Sequence, residues 1–573
     1  MIPAVTTTNP APANAGWRGW LFAAALSLAV SLAIVAPFFW LGSASGHDFE
    51  FHVSSWLDVA GQWKEGIALP RWAEWANHGF GEPRFIFYPP LSWLLAPAIK
   101  FFVPWNLVPV IFIVLVQTFA GLAAFAFSRR LLPDRGAIFA AVCYAANPNA
   151  LLIVYMRSDF AELLASAFFP LLFLAALHLA GLLENGEQRK ALPSRIAVTF
   201  ATVFAVVWLS NAPAGVMATY SVVLLFAWAA FAERSCKPLA RGAAGMALGF
   251  GLAGFYLVPA AYEQRWVNIG QVLSSGLLPS QNFLYTTIND PEHNLFNWIA
   301  STAAVILMVI TGIAALRVYR SAGHDTASSQ QAKVWRVLML LAAAATFTML
   351  RPSILLWEFL PKLRFVQFPW RWMSILALPF AYFLGAVVAR SRLRWLWIAT
   401  VIAVLVGAGA SFVRNTWWDA DDVATLQAGV KQGVGFDGTD EYDPVGDDHY
   451  NLPPKAPQVR VLPLGDASST LPQTQVSVDR WTAEERIVRV QSAEPVKLAL
   501  RLLNYPAWRI ELNGAVVTPE PPADSNQMIL ELPAGQSQVS IHLTRTPDRL
   551  WGLLLTLASA LLALGMFFKT PVS

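Results

Sequence analysis

Phe85-Ile86-Phe87-Tyr88-Pro89-Pro90 runs into a further apolar stretch that ends at Val103, and whether these residues cross a membrane decides the topology of everything after them. The run is short and is broken by Pro97 and Pro104, whereas a span needs about 20 apolar residues. A re-entrant or interfacial helix is therefore the expectation, and the rest of the chain tests it. The apolar segments 107–128, 163–183, 214–232, 296–316 and 373–389 are each followed by basic residues, among them Arg129, Arg130 and Arg135, Arg189 and Lys190, Arg234 and Lys237, Arg317 and Arg320, and Arg390 and Arg392. If 85–103 does not cross, all five basic loops share one side, the cytoplasmic side by the excess of Lys and Arg in inner loops. If it crosses, all five face outward. The non-crossing reading puts the N-terminus in the cytoplasm. It puts 43–106, 155–162, the Ser210-Asn211-Ala212-Pro213 turn, 262–295, 351–371 and 414–548 outside.

Composition points the same way. Of 573 residues, 56% are hydrophobic and 13% charged, about half the charged fraction of a soluble domain. With 24 Trp and 37 Phe and repeated long apolar runs, the chain reads as a polytopic α-helical membrane protein of about 12 spans, lodged in a lipid bilayer. The net charge of +4 sits in short loops and forms no basic stripe, so nucleic acid is not an expected partner. Cys143 and Cys236 cannot build a disulfide framework. The first apolar run, 17–42, is too long for a signal peptide and lacks a charged leader, so it reads as a retained helix despite the small residues Ser43-Ala44-Ser45.

The remaining organisation follows from local pattern. Residues 1–16 read as a disordered cytoplasmic tail and 17–413 as the transmembrane domain. Within its first outer loop, 43–106, the segment 53–66 reads as an interfacial amphipathic helix with Trp56, Leu57, Ala60 and Trp63 on one side. Residues 414–548 read as an acidic linker followed by a C-terminal extracytoplasmic β-sandwich, because seven stretches between 458 and 543 alternate apolar and polar residues and Asn513-Gly514 marks a hairpin. Residues 549–573 supply the last helix and a short cytoplasmic tail. No internal repeat, P-loop, dinucleotide fingerprint, nucleophile elbow or zinc-spaced Cys/His set is present.

Three constellations can carry chemistry. Gly46-His47-Asp48-Phe49-Glu50-Phe51-His52 follows the first apolar run; if extended, it places Asp48, Glu50 and His52 on one face and the two Phe rings on the other. A carboxylate there can accept the proton of an attacking hydroxyl, or the three together can hold a divalent ion such as Mg or Mn, or the segment is a hydrated loop. Arg157-Ser158-Asp159-Phe160-Ala161-Glu162 lies on the same side, with Asp159 and Glu162 three apart on one helix face. Ser158 capping that helix is the plain structural reading. The third set is basic and breaks the inside bias: Arg84, Arg265, Arg351, Lys362, Arg364 and Arg371. It either binds a lipid phosphate or snorkels to head groups, with Glu263 as the ion-pair partner of Arg265. The acidic stretch from Asp437 to Asp448 lacks the spacing of a calcium loop.

Gly46-His47-Asp48, His52, Arg84 through Leu91, Arg157 through Glu162, Gln367-Phe368-Pro369-Trp370-Arg371 and Thr439-Asp440-Glu441-Tyr442 together resemble the bacterial membrane proteins labelled 6-pyruvoyl-tetrahydropterin synthase-related. Nothing in the chain suggests pterin chemistry, which would require a zinc-binding histidine set. The architecture is similar to the GT-C glycosyltransferase superfamily and to YfhO-like proteins. That resemblance implies a bacterial cytoplasmic (inner) membrane protein of the cell envelope. It would move a sugar from a polyprenyl-phosphate donor to a glycan, lipid or protein acceptor outside the cytoplasm. In this reading Asp48 is the base, Glu50 and Asp159 orient the acceptor or a metal, and Glu162 supports them. His47, His52, Arg84, Tyr88, Arg157, Arg265, Arg364 and Arg371 bind substrate. The rival expectation is a non-catalytic lipid or polysaccharide transporter, or an envelope-assembly scaffold.

Overall fold

The computed structural model describes residues 16–183, 194–321, 330–446, 451–464, 472–520, 522 and 525–568; most of the expected N-terminal tail, and Asp447 and Asp448, fall outside them. The main helices are α1 (Trp17–Val35), α2 (Phe49–Lys64), α3 (Pro90–Ile99), α4 (Val108–Ser128), α5 (Asp134–Ala145), α6 (Phe160–Leu179), α7 (Ser194–Ser210), α8 (Ala212–Glu233), α9 (Lys237–Leu252) and α10 (Gly254–Glu263), then α11 (Pro291–Ser321), α12 (Gln330–Met349), α13 (Met373–Arg390), α14 (Arg394–Asn415) and α15 (Pro547–Phe568), with a ten-residue helix at Asp422–Lys431 in the linker and short helical turns elsewhere. Among the described residues, ten helical stretches are long and apolar enough to cross a membrane. They become eleven if α9 and α10, bent by 78° against each other, form one span. The sequence count of about 12 differs by α7, a 17-residue apolar helix at the short limit of a crossing.

The deciding segment is broken as its prolines require. Arg84–Phe87 forms one turn, and α3 follows with 10 residues, about 15 Å of helix and half a hydrocarbon core. The helix foreseen at 53–66 begins earlier, at Phe49, and is packed against the bundle: Trp56 is fully buried and stacks on Phe112 of α4 with ring centres 5.6 Å apart. At the heart of the bundle, α13 is buried from Met373 to Ala389. It approaches α5 so closely that a Cβ on Gly136 would come within 2.7 Å of the Gly385 carbonyl oxygen, and one on Gly385 within 2.4 Å of that of Gly136. Glycine is the residue that permits such contact.

The basic helix ends meet one another. Arg135 donates to the Ala389 carbonyl at 2.7 Å, Gln331 to that of Leu131 at 2.8 Å, and Arg195 to that of Phe567 at 2.9 Å. The acidic motifs gather at the other end of the bundle. There β1 (Ser43–Ala44) pairs antiparallel with β2 (Trp418–Asp419), tying the start of the 43–106 loop to the exit of α14.

The C-terminal unit contains β3 (Val459–Pro463), β4 (Thr474–Trp481), β5 (Glu485–Ser492), β6 (Val496–Leu503), β7 (Trp508–Leu512), β8 (Ala515–Val517), β9 (Gln527–Leu532) and β10 (Gly535–Leu543). They form a five-stranded sheet in the order β4-β5-β10-β7-β8 and a three-stranded sheet β3-β6-β9, all antiparallel. Asn513 and Gly514 make the β7–β8 turn with φ of +50° and +84°, the left-handed pair that a two-residue hairpin demands. The sheets share one apolar core, and the 43–106 loop adds Trp72, Phe80, Ile86 and Phe87 to it. Trp72 is fully buried, 5.2 Å from the ring of Trp508; losing a side chain of this size from a core costs about 3–5 kcal/mol. The 43–106 loop thus holds the β unit against the bundle.

Candidate active site

A cavity of about 600 Å³ is walled by the loop before α2, the 84–90 segment, the α7–α8 turn, residues 260–272, residues 362–371 and the linker 437–442. Its chemistry starts one layer below the surface, at Arg157. Residues Ile153–Arg157 form a π-helical turn, with the Ser158 amide donating to the Ile153 carbonyl five residues back. Such turns frequently mark functional sites. Ser158 then takes φ of +55°. Its hydroxyl donates to the Ala44 carbonyl at 2.6 Å and accepts from the Gly46 amide at 3.1 Å, while the Asp48 amide donates to the Arg157 carbonyl at 2.8 Å. A Cβ on Gly46 would lie 2.5 Å from the Met156 carbonyl oxygen, so the close docking of the two motifs requires glycine there.

The docking corrects two expectations. Ser158 does not cap α6; Asp159 does, its Oδ1 accepting from the Glu162 amide at 2.8 Å. Nor is 46–52 extended. Asp48 is the N-cap residue of α2 and the helix starts at Phe49, so at about 100° per residue Asp48 and His52 share a side while Glu50 turns to the opposite one. The three proposed metal donors therefore diverge. Asp48 contacts Arg157, Glu50 is exposed, and His52 is buried with its Nε2 3.5 Å from Asp159. Among the described residues no group of three His, Cys, Asp or Glu side chains is placed to hold a metal ion, and the Mg or Mn expectation does not fit these residues.

Arg157 is a hub. Its Nη2 donates to Asp48 Oδ2 at 2.9 Å and Asp159 Oδ2 at 3.0 Å, and its Nη1 donates to Glu162. Arg371 joins from the other side, with Nε 3.0 Å from Glu162 Oε2 and Nη2 3.5 Å from Asp159 Oδ2. Ser374 adds a hydroxyl donated to Glu162 Oε1 at 3.2 Å. Rings back the guanidinium groups: Trp370 lies 5.1 Å from Arg157, and Phe368 lies 4.9 Å from Arg371. Three carboxylates face two guanidinium groups. Arg157, Asp159 and Glu162 are at most 3% exposed, whereas the Asp48 side chain is 36% exposed. Asp48 and Asp159 both line the cavity, and Asp48 is much the more exposed of the two. Burial opposes ionisation of Asp159, but the guanidinium of Arg157, His52 and Arg371 outweigh it and hold this carboxyl well below the usual carboxylate range.

The other expected site residues fall into three groups. Glu50, Arg84, Tyr88, Arg371 and, at the mouth, His47 line the cavity, His47 with its ring 4.9 Å from that of Phe296. Partial burial with Asp437 and Asp422 nearby raises the Glu50 carboxyl above its ordinary value. Glu162, His52 and Arg157 lie behind the wall, His52 inside an aromatic shell of Phe51, Trp56, Tyr88 and Phe160. This corrects the phosphate-binding expectation for Arg157, whose donors are spent on carboxylates. Arg265 and Arg364 stand outside, exposed over Tyr262 and Phe365. Glu263 is not the partner of Arg265: it is fully buried and takes a fork from Arg549 at 2.7 and 2.8 Å.

The cavity also contains residues that had no place among the expected substrate-binding residues. Lys362 lines it, exposed, with its Nζ 3.4 Å from Gln264 Oε1. Thr439, Glu441 and Tyr442 enter from the linker. Val216, Ala260, Ile269, Val272 and Phe365 make the walls partly apolar. The acidic linker residues disperse. Asp437 reaches His78 at 3.4 Å, Glu441 faces the cavity, and Asp443 accepts from Asn77 at 2.7 Å, so the described residues of this stretch form no calcium loop.

Residues 85–415 match the family model described as the 6-pyruvoyl-tetrahydropterin synthase related domain, a membrane protein family. No curated protein sequence matches the chain. Among solved structures, the oligosaccharyltransferase of Archaeoglobus fulgidus in its apo form is similar with a TM-score of 0.42 and 13% identity, over 69% of this chain and 56% of that one. The archaeal oligosaccharyltransferase AglB of the same organism, in complex with an inhibitory peptide and a dolichol-phosphate, gives 0.41 and 12% over the same shares. The chain thus spans a little over half the length of those structures.

Proposed function

The chain belongs to the 6-pyruvoyl-tetrahydropterin synthase related family of membrane proteins, and we propose that this member is an inverting glycosyltransferase that moves a sugar from a polyprenyl-phosphate donor to an acceptor hydroxyl on the extracytoplasmic side of a bacterial inner membrane. The observation that carries the proposal is the meeting of three groups on one cavity wall: a half-exposed carboxylate, Asp48, fixed by a buried arginine; a guanidinium, Arg371; and an ammonium, Lys362. Asp48 takes the proton of the acceptor hydroxyl as its oxygen forms a bond to the anomeric carbon. The bond from that carbon to the phosphate oxygen breaks, and its electron pair leaves with the lipid phosphate. Lys362 meets that departing charge directly, and Arg371, held by Glu162 and Asp159 on the cavity wall, adds its positive potential. Glu50 and Glu441 supply acceptors for sugar hydroxyls, and the apolar walls receive the start of the isoprenoid chain.

Asp48→Asn keeps the shape of the side chain and removes its basicity. Reconstituted with a short-chain polyprenyl-phosphate sugar, the variant is expected to lose at least about 100-fold in transfer rate while its thermal midpoint stays near that of the wild type. Transfer at the wild-type rate by a folded D48N protein overturns the proposal.

A further inference from the structure

A second cavity, of about 620 Å³, backs onto the first across the 84–90 segment. Arg84, Phe87, Tyr88 and Pro89 face the first; Phe85, Ile86 and Pro90 face the second. Tyr256 closes the partition by donating its hydroxyl to the Phe87 carbonyl at 2.7 Å. The walls of the second cavity are apolar and come from three helices: Trp93 of α3, Phe255 and Pro259 of α10, and Leu550 and Leu553 of α15. Leu550 and Leu553 are 53% and 41% exposed on a membrane-spanning helix, so the groove opens along a lipid-facing side.

Its mouth is basic. Arg71, Arg545 and Arg549 line it, against the single carboxylate Glu484. Two of these charges are spent: Arg71 forks onto Glu484 at 2.8 and 2.7 Å, and Arg549 forks onto buried Glu263. Arg545 is exposed, and among the described residues no hydrogen bond or ion pair of its side chain is found. It stands two residues before α15, whose first-turn amides add positive potential at the same place. An unpaired guanidinium above an apolar groove on a span matches one chemistry: a phosphate of net negative charge carrying a long hydrocarbon chain. A zwitterionic head group offers no net charge to Arg545, and a free phosphate leaves the walls unused.

We propose that this cavity binds an anionic phospholipid of the surrounding bilayer, with an acyl chain between α3, α10 and α15 and the phosphate on Arg545. The site is built from both units, since Glu484 and Arg545 flank β-strands and Trp93 and Leu553 belong to the bundle, so the lipid fastens the β unit to the membrane domain. It is separate from the sugar-transfer reading and does not depend on it.

The full chain in nanodiscs of mixed phosphatidylglycerol and phosphatidylcholine, released into native mass spectrometry, reports which lipid is retained. The wild type is expected to keep phosphatidylglycerol. Arg545→Gln, at an exposed and unpaired position, is expected to lower that retention about tenfold. Leu553→Trp, which fills the groove and leaves the charge unchanged, is expected to do the same, with thermal midpoints of both variants near the wild type. Retention of phosphatidylcholine equal to phosphatidylglycerol in the wild type overturns the proposal, as does undiminished phosphatidylglycerol in both variants. Displacement of the bound phosphatidylglycerol by an equal amount of polyprenyl phosphate overturns it in favour of a donor-chain groove.

Discussion

Two buried arginines stand on either side of α2, and they solve the same problem differently. Arg84 is 2% exposed. It pairs with one carboxylate, Glu82 at 2.5 Å, and spends its remaining donors on the hydroxyls of Ser54, Ser55 and Thr439. Glu82 in turn accepts from the Thr439 amide at 2.9 Å. The charges balance, every partner is local to the 43–106 loop or the linker, and the product is a clasp that holds 437–442 over the cavity. Arg157 gathers three carboxylates, shares two with Arg371, and leaves one carboxylate at the surface. A neutral, closed ion pair fixes structure; a network with an exposed carboxylate is poised to take a proton or a hydroxyl. That difference is why Asp48 and not Glu82 is assigned the reactive role.

The largest effect should come from breaking the two hubs in parallel. Arg157→Met leaves Asp159 and Glu162 in the interior with Arg371 alone to face both, and removing one partner of a buried ion network costs about 3–5 kcal/mol. Arg84→Met strands only Glu82, which can take up a proton, and the lost charge-assisted bonds are worth about 1.5–3 kcal/mol. Thermal or denaturant unfolding in detergent should rank them in that order. Hydrogen exchange should separate them further, with amides of 437–442 deprotected in the Arg84 variant and retained in the Arg157 variant. Equal losses in both, with the linker released by neither, would mean that the two clusters do not differ in the way their charge counts suggest.

The contrast also shows what was legible beforehand. Span order and the short, broken helix within 85–103 followed from hydrophobic length and from the prolines, because the bilayer sets the length that a span needs. The β unit followed from alternation and from Asn513-Gly514. The acidic motifs were found because charges beside apolar runs are conspicuous. Their pairing was not, since a sequence does not show that Ser158 would tie to Ala44 or that Asp159 would replace it as the cap. The period-two reading of 46–52 failed because docking against Arg157 starts the helix at Phe49 and turns Glu50 away from Asp48. Lys362 was one of several misplaced cations, and only the turn at 362–367 brings it to the cavity while leaving Arg364 outside.

The two regions should titrate in opposite senses. Asp159, held low by the guanidinium groups, contributes stability above the unfolded carboxyl value of about 3.9 and loses it only as pH falls further. On the Arg84 side, burial, with Glu82 and Asp440 adding to it, pushes Glu441 up to about 7. Between about 4.3 and that value the native state holds a proton that the unfolded chain has released, so stability declines as pH rises through this window. Glu441→Gln removes the group, and the drop in thermal midpoint between pH 5 and pH 8 should be smaller than in the wild type. Burial also raises Asp58 and Glu74 to about 7, so part of the drop should persist. An unchanged drop would place Glu441 in water instead of against the Arg84 clasp.

The smallest effect concerns how far the reactive member of the Arg157 cluster is insulated from its buried members. Ser374 donates to Glu162 Oε1 at 3.2 Å and accepts from Asn149 at 3.1 Å, which places it behind Glu162 and two ion pairs away from Asp48. Ser374→Ala removes one hydrogen bond from a carboxylate that keeps both arginines. The cost should be about 1 kcal/mol of stability, with sugar transfer within about twofold of the wild type, since less than half a kcal/mol would then reach the transition state. A stability loss of that size with a tenfold or larger fall in kcat would mean that Glu162 sets the position of Arg157, and through it Asp48. The cluster would then act as one unit, not as a fixed base on a rigid support.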